Sequence, residues 1–206
     1  SKVERKEKYI VNDQLDGSVT IYQVTKMRAV VLVENGYEEL ETMGPIALLK
    51  RGGVDVDLVR LCTEEAVGRF GIQYNPSIYY ADYDFDKADC LVVPGGPQHA
   101  TMRKNPVALK LIHEFAENKM IGAICAAPTI LGQEGLLKGK NYTCFAAMND
   151  DFGGTFHSAY VVRDGNIVTA CSAAASVEFG FALLELLCGK EHTDKVKESV
   201  YYGFDH

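Results

Sequence analysis

Short runs of apolar residues alternate with longer amphipathic stretches over most of this chain. The apolar run Arg28–Val33 predicts a buried strand, and the pattern over Leu40–Arg51 predicts a helix. That helix should end at Gly52 and Gly53, because glycine readily takes the left-handed conformation that closes many helices. A second strand is expected at Val54–Leu61. The order strand, helix, strand is typical of an α/β unit with parallel strands.

The same alternation continues toward the C-terminus. Asn105 followed by Pro106 marks the start of a helix, because asparagine caps a first turn and proline fits its first position. Short alternating segments at Arg69–Tyr74 and Ser77–Tyr80 predict a β-excursion at the surface. Further strands are expected at Cys90–Val93, Ile121–Ile124, Tyr142–Phe145, Tyr160–Arg163 and Asn166–Ala170, and further helices at Ala126–Leu131 and Ala174–Leu187. Together these elements predict an α/β fold with helices on both faces of a mostly parallel sheet.

Residues 1–26 precede this pattern and are expected to form an N-terminal extension to a domain that covers residues 27–206. Within the extension, Tyr9–Leu15 and Ser18–Val24 flank Asp16 and Gly17, a pair that is favoured in two-residue hairpin turns. We therefore expect a β-hairpin arm, with a disordered tail as the alternative.

Composition narrows the class of protein. The 206 residues are 47% hydrophobic and 24% charged, which fits one ordinary globular domain. The formal net charge of −7 argues against nucleic acid as a partner. The N-terminus is charged, and no apolar stretch reaches the roughly 18 residues that a membrane-spanning helix needs, so we expect a cytoplasmic protein without membrane contact.

The cysteines indicate reduced thiols rather than a structural framework. They contain no Cys-x-x-Cys pair, which fits neither a disulfide scaffold nor a zinc site. We therefore expect no metal and no cofactor. The six residues are Cys62, Cys90, Cys125, Cys144, Cys171 and Cys188.

Cys125 is the sharpest candidate for chemistry, because it follows an expected strand and lies between small residues, Ala123 before it and Ala126 and Ala127 after it. That arrangement is typical of a nucleophile elbow, a tight strand-to-helix turn with no room for large neighbours. At the N-terminus of the helix expected at Ala126–Leu131, the helix dipole should lower the pKa of the thiol. The alternative is a buried, inert cysteine.

Two further features should converge on that turn. Gly95 and Gly96 follow a neighbouring strand, and bare backbone there could direct N–H groups at an oxyanion, with the N–H of Ala126 as a second donor. An ordinary tight turn is the alternative. Glu41 lies just after the first strand, where burial and a nearby thiolate would raise its pKa and allow general acid–base work. The alternative is that the Glu41 carboxylate only complements the dipole at the N-terminus of its helix.

These residues lie in four motifs that occur in the order of a known family, and over residues 27–190 the chain resembles the ThiJ/PfpI superfamily, in the branch of the parkinsonism-associated deglycase and its bacterial relatives. The motifs are Glu-Glu-Leu-Glu-Thr at 38–42, Val-Pro-Gly-Gly at 93–96, Ala-Ile-Cys-Ala-Ala-Pro at 123–128 and Ser-Val-Glu-Phe at 176–179.

The resemblance implies a flavodoxin-like three-layer sandwich of the class I glutamine amidotransferase type, assembled as a homodimer. It also implies that Cys125 is the nucleophile or an oxidation-sensitive thiol and that Glu41 is its protonated partner. Gly96 and Ala126 match the backbone positions of the oxyanion hole. Arg51 and Arg69 match family arginines near the dimer interface and the site, although both could be plain surface charges.

The chain also departs from the family in ways that narrow its chemistry. Phe145 occupies the position of a histidine in the better-known member, which excludes a Cys/His dyad there. The peptidase branch has a histidine directly after the cysteine, whereas this chain has Ala126, which disfavours a protease. His157 is not part of a His-x-Glu pattern, which disfavours a glutamine amidotransferase. His157 is expected to be exposed, with a place at the substrate pocket as the alternative. Pro97 and His99, which follow the glycine pair, and Phe145 could also border that pocket.

We therefore expect an enzyme that acts without a cofactor on methylglyoxal, glyoxal or their adducts with protein amines and thiols, including glycated proteins and amino acids. The alternative is a redox-sensing stress protein or chaperone in which Cys125 is oxidised. A third possibility is another thiol-dependent hydrolase or hydratase of the same superfamily.

Overall fold

The structure, a computed structural model, describes residues 6–11 and 20–203. Its strands are β1 (Lys6–Val11), β2 (Thr20–Thr25), β3 (Arg28–Val33), β4 (Asp55–Arg60), β5 (Ile78–Tyr79), β6 (Cys90–Val93), β7 (Met120–Ile124), β8 (Asn141–Tyr142), β9 (Thr155–Phe156), β10 (Val161–Asp164) and β11 (Ile167–Ala170). Its helices are α1 (Glu39–Arg51), α2 (His99–Met102), α3 (Pro106–Asn118), α4 (Pro128–Gln133), α5 (Ser176–Cys188) and α6 (Lys190–Ser199).

Seven strands form one sheet in the order β10-β11-β7-β6-β3-β4-β5. All neighbours are parallel except β10 and β11, which pair antiparallel at one edge. Ligands of such open parallel sheets bind beyond the carboxyl ends of the strands, so the turns after β3, β6 and β7 lie at the edge where chemistry is expected.

Hydrophobic packing on the two faces of the sheet gives the three layers. Along β3, Val30 and Leu32 face the layer that contains Phe115 of α3. Val31 faces the other layer, together with Leu49 of α1 and residues of α5. Alternate residues of a strand point to opposite faces, so a continuously apolar strand is what a sheet covered on both sides requires.

Several local predictions are confirmed. β3 and β6 have the predicted bounds, and α3 begins at Pro106, where the Asn105 side chain accepts hydrogen bonds from the N–H groups of Val107 and Ala108 at 2.9 and 3.4 Å. Gly53, just past α1, has a φ of +84° and so takes the left-handed conformation that its position called for.

Other local predictions are wrong. Residues 69–74 do not form a strand; the N–H groups of Phe70 and Ile72 instead donate to one carboxylate oxygen of Glu39, at 2.9 and 3.2 Å. The strand predicted to run to Phe145 ends at Tyr142, and the helix predicted at 126 begins at Pro128.

The last helix in the described part of the chain, α6, was not predicted from the sequence pattern. His192 lies in α6 and is buried, with its Nε2 2.6 Å from the carbonyl oxygen of Gly52 at the end of α1. This contact ties the C-terminal part of the chain to the helix that carries Glu41. Over the part of the chain that the structure describes, no helix has the length and apolar content to cross a membrane.

The two N-terminal strands pair antiparallel, with Val11 opposite Thr20. The turn predicted at Asp16 and Gly17 lies outside the described residues.

Candidate active site

The backbone at Cys125 is in the left-handed region, with a φ of +64°. Its N–H donates to the carbonyl oxygen of Ala170 at 2.9 Å, and its carbonyl oxygen accepts from the N–H of Phe145 at 2.8 Å. Ala126 and Ala127, which follow it, are buried. A non-glycine residue persists in this conformation only where its surroundings enforce it, and such strain is typical of a nucleophile elbow.

Glu41 reaches the same turn from the first turn of α1. Only 1% of the residue is exposed, and its Oε1 accepts a hydrogen bond from the N–H of Gly95 at 3.0 Å. The carboxylate lies close enough to the thiol of Cys125 for each group to shift the pKa of the other. A Cβ atom at Gly95 would lie 2.6 Å from Glu41 Oε1 and 2.9 Å from Cys125 Cβ, so glycine is needed to bring the carboxylate and the thiol together.

The position of Glu41 depends on Glu38, which was not singled out from the sequence. The Glu38 carboxylate caps α1 by accepting hydrogen bonds from the N–H groups of Leu40 and Glu41 at 3.1 and 2.9 Å. The backbone N–H of Glu38 donates to the carbonyl oxygen of Gly95 at 3.1 Å. An acidic residue at a helix N-terminus is a recognisable capping signal, so Glu38 could have been found.

Gln98 was also missed, and no local sequence signal marks it. The residue is fully buried, its Oε1 accepts from the N–H of Glu34 at 2.7 Å, and its Nε2 donates to the carbonyl oxygen of Pro94 at 2.7 Å. The side chain therefore joins the turn after β3 to the turn after β6.

The pKa values of the central pair are both raised. Burial, followed by the negative charge of Glu38, raises the pKa of Glu41 to about 7. Burial, followed by the charge of Glu41, raises the pKa of Cys125 to about 12, although a hydrogen bond from the N–H of Ala126 opposes this. The predicted lowering of the thiol pKa is therefore wrong, because desolvation outweighs any helix dipole and α4 begins three residues beyond the sulfur.

The N–H groups of Gly96 and Ala126 were predicted to form the oxyanion hole, and this stays a prediction. The N–H of Ala126 points toward the sulfur of Cys125. Gly96 has a φ of +90°, and its N–H donates no hydrogen bond to any group among the described residues. The backbone of Gly96 is thus in a conformation that favours glycine.

Three other predicted pocket residues lie near this centre. The charge of Arg69 lowers the pKa of Glu41 in part, which places the guanidinium within electrostatic reach of the carboxylate. Phe145, 43% exposed, contacts the elbow through its backbone N–H. His99 is half-buried and held by Arg103, whose Nε lies 3.2 Å from its Nδ1, and burial lowers the pKa of the imidazole.

The remaining candidates are more peripheral. Arg51 is exposed at the far end of α1, ten residues from Glu41, which corresponds to about 15 Å along the helix axis. His157 is exposed as predicted, with its Nε2 2.8 Å from Oδ1 of Asn141. Pro97 is exposed just after the glycine pair. Arg51 is therefore not a pocket residue of its own chain.

All six cysteines are free thiols, and Cys90 and Cys144 are buried. Burial raises the pKa of Cys90 to about 12 and that of Cys144 to about 11, so neither is an obvious nucleophile. Among the residues that the structure describes, no group of three or more His, Cys, Asp and Glu side chains could hold a metal ion.

Comparison with known proteins identifies the family. The family model described as DJ-1/PfpI matches residues 27–186. The chain belongs to the DJ-1/PfpI family. It is 30% identical to the protein dj-1beta of Drosophila melanogaster over 183 residues, which cover 86% of this chain and 98% of that protein. It is 31% identical to a Thermococcus kodakarensis protein named as a deglycase, over 148 residues that cover 70% of this chain and 89% of the relative.

Solved structures of this family share the fold. The crystal structure of Drosophila melanogaster DJ-1beta matches with a TM-score of 0.78 at 28% identity and covers 86% of this chain and 98% of that chain. A DJ-1 superfamily protein from Salmonella typhimurium matches with a TM-score of 0.75, also at 28% identity, over 85% of this chain and 98% of that chain. The predicted flavodoxin-like sandwich and the ThiJ/PfpI resemblance are confirmed.

Proposed function

We propose that this DJ-1/PfpI-family protein is a cofactor-independent, cysteine-dependent glyoxalase or deglycase, which acts on methylglyoxal, glyoxal or their adducts with amines and thiols. The observation that carries the proposal is the buried Glu41 carboxylate, which meets the strained residue Cys125 at Gly95. Relatives that are named as deglycases, at about 30% identity, support the same class of reaction.

The raised pKa values define how the pair would begin the reaction. A thiol with a pKa of about 12 stays protonated near neutrality, whereas a carboxyl group with a pKa of about 7 can accept a proton there. Glu41 therefore takes the proton of Cys125 as the sulfur adds to the aldehyde carbon of methylglyoxal. The new oxyanion is stabilised by the N–H groups of Gly96 and Ala126 and takes the proton from Glu41 to become the hydroxyl of a hemithioacetal, which leaves Glu41 ionised again.

The same carboxylate can complete the isomerisation. Glu41 removes the hydrogen from the carbon bonded to sulfur and returns a proton to the neighbouring carbon. The hydroxyl proton of the first carbon passes to the former ketone oxygen, and the product is a thioester of lactate. Water then hydrolyses the thioester, so that lactate leaves and the Cys125 thiol is restored. The sum is one methylglyoxal and one water converted into lactate, with no external oxidant or reductant.

A panel of variants tests this proposal. Cys125→Ala and Glu41→Gln should each lower kcat/KM for methylglyoxal by at least about 1000-fold, because each removes a group that takes part in bond making. Cys62→Ala, which changes a half-exposed thiol elsewhere, should retain the wild-type rate. Lactate formation is measured together with far-UV circular dichroism to verify folding. Full activity of Cys125→Ala would rule the proposal out.

The redox-sensor alternative rests on the same sulfur but is less well supported. Peroxide reacts with the thiolate, and burial leaves only a small ionised fraction of Cys125 near pH 7. Mass spectrometry after mild peroxide treatment separates the two ideas. Rapid, selective oxidation of Cys125 in a protein that does not consume methylglyoxal would favour the sensor.

A homodimer is part of the proposal. Leu40 at the start of α1 is 51% exposed, and Phe70 and Ile72, whose N–H groups bind the adjacent Glu39, are 69% and 50% exposed. These three large apolar side chains, which we call the α1 patch, lie close together beside the residue that carries the acid–base group. An exposed apolar cluster of this kind fits a self-complementary interface.

A further inference from the structure

A cavity of about 410 Å³ lies beside the elbow, on the side of β8, β9 and β10. Its wall includes Phe145, whose N–H donates to the carbonyl oxygen of Cys125 at 2.8 Å. The wall also includes Cys171, which directly follows Ala170, the residue that accepts the N–H of Cys125 at 2.9 Å. The carbonyl group of Cys125 is thus hydrogen-bonded to Phe145, which lines the cavity, and its N–H group is hydrogen-bonded to Ala170, which is next to the lining residue Cys171.

The volume of the cavity is larger than a three-carbon aldehyde needs. Methylglyoxal has five non-hydrogen atoms, and at the share of about 30 Å³ that one water molecule takes in the liquid they would occupy roughly 150 Å³. A space of about 410 Å³ instead falls in the range of sites that hold ring-containing small molecules. The cavity therefore has room for a bulky substituent of a substrate.

The lining selects for an uncharged group. Aromatic rings are supplied by Phe145, Phe156 and Tyr160, and hydroxyl groups by side chains such as that of Ser158. None of the lining residues that the structure describes carries a charge. A carboxylate or ammonium group would lose its water there without gaining a partner, whereas an aromatic ring would gain packing on the rings already present.

We propose that this cavity is the substituent subsite of the enzyme and that the preferred substrates are α-oxoaldehydes with an uncharged aromatic or bulky apolar group on the ketone carbon. This inference rests on the proposed function, because it assigns to the same thiol the larger part of its substrate. Phenylglyoxal is the simplest member of the class, and the same chemistry converts it with one water into mandelate.

Ala159→Phe tests the subsite by filling it. Ala159 lines the cavity but is exposed, and its own contacts are main-chain hydrogen bonds, to His157 and from the Thr143 hydroxyl, that a new side chain can leave in place. The ratio of kcat/KM for phenylglyoxal to that for methylglyoxal should fall at least about tenfold in this variant. Ala81→Phe, an equal change at an exposed turn after β5, should leave the ratio unchanged. An unchanged ratio in Ala159→Phe would overturn the inference.

A binding measurement separates this inference from the proposed function. The probe is 4-fluoroacetophenone, which has the aromatic ketone but no aldehyde, and its ¹⁹F line width is recorded with the Cys125→Ala chain and with the Cys125→Ala, Ala159→Phe double variant. Broadening with the first and at least about tenfold weaker binding with the second supports the subsite, even if no α-oxoaldehyde is turned over. No broadening, or equal broadening with both chains, refutes it.

Discussion

Glu41 and Gly95 lie 54 positions apart in the chain, yet the Gly95 N–H donates to Glu41 Oε1 at 3.0 Å across the gap between β6 and α1. The absence of a side chain at Gly95 makes this approach possible, since a Cβ there would lie 2.6 Å from the carboxylate oxygen and 2.8 Å from the carbonyl oxygen of Ile124. A main-chain hydrogen bond thus helps to hold the carboxylate in place.

Gly95→Ala should therefore impair the site more than the fold. The new methyl group would push Glu41 away from Cys125, and we expect methylglyoxal turnover to fall at least about 100-fold, because misplacement of a reacting group by about 1 Å has costs of that size. Gly135→Ala is the control: it strains a left-handed backbone, but the added methyl group would meet nothing within 4 Å. Its rate per folded molecule should be unchanged, and a Gly95→Ala protein with wild-type kinetics would contradict the account of the site.

The rate should depend on pH through Glu41. Because the carboxyl group has a pKa of about 7 and must be ionised to accept the thiol proton, kcat/KM should rise about tenfold per pH unit below 7 and level off above it. Initial rates from pH 5 to 9 measure this. A profile that is flat below pH 7 would show that proton loss from the pair is not required.

The same pKa predicts a change in stability. The pKa of Glu41 in the folded protein exceeds its ordinary value of 4.5, so between pH 4.5 and 7 the folded protein retains a proton that the unfolded chain has released. The free energy of unfolding should therefore fall as pH rises through this window, by about 3 kcal/mol at most. Glu41→Gln removes this penalty, and its stability relative to wild type, measured by urea unfolding, should increase from pH 4 to pH 8. A constant difference would contradict the raised pKa.

The backbone strain at Cys125 can be tested by comparing two variants, Cys125→Ala and Cys125→Gly. With a φ of +64°, glycine should fit this position better than alanine, so Cys125→Gly is expected to be more stable than Cys125→Ala by about 1 kcal/mol. Ala127 has a φ of −65° and serves as the control position. There, the change Ala127→Gly should lower the free energy of unfolding by about 1 kcal/mol or more. Thermal and urea unfolding compare the variants. A Cys125→Gly protein that is less stable than Cys125→Ala would show that the turn stores no strain.

The proposed dimer should depend on the α1 patch. Replacing Phe70 with glutamate should weaken self-association at least about 100-fold, since it places a charge in an interface that is otherwise apolar. Ile78→Glu, at an exposed apolar residue on the edge strand β5, is the control. Light scattering after size-exclusion chromatography gives the mass over a concentration series. A wild-type monomer at high micromolar concentration would refute the dimer.

Much of the fold was predictable because local signals agreed with the tertiary structure. β3 and β6 are continuously apolar, as buried parallel strands must be, and the cap at Asn105 is determined by its own side chain. Residues 69–74 were wrongly predicted to form a strand because their local pattern disagrees with their tertiary contacts. Its alternating pattern resembles a strand, but the carboxylate of Glu39, more than thirty positions away, takes the hydrogen bonds that a strand partner would have accepted.

The residues at the centre of the site could be named from the sequence, but their protonation could not. Position in a strand-to-helix turn singled out Cys125, and the first βα connection singled out Glu41. The pKa of the thiol depends on how deeply the sulfur is buried and on the charge of Glu41 beside it, and neither is a local property of the chain. The helix α6 was missed because it is strongly polar and buries only three residues, which are His192, Thr193 and Val196.

The contact between His192 and Gly52 links two distant parts of the protein. It fixes the last turn of α1, while Glu38 fixes the first turn, so the helix that carries Glu41 is anchored at both ends. Loss of the C-terminal helix would leave the Cys125 turn chemically intact but free the far end of α1. A shortened chain of this kind should therefore fail first in proton transfer, before it fails to fold.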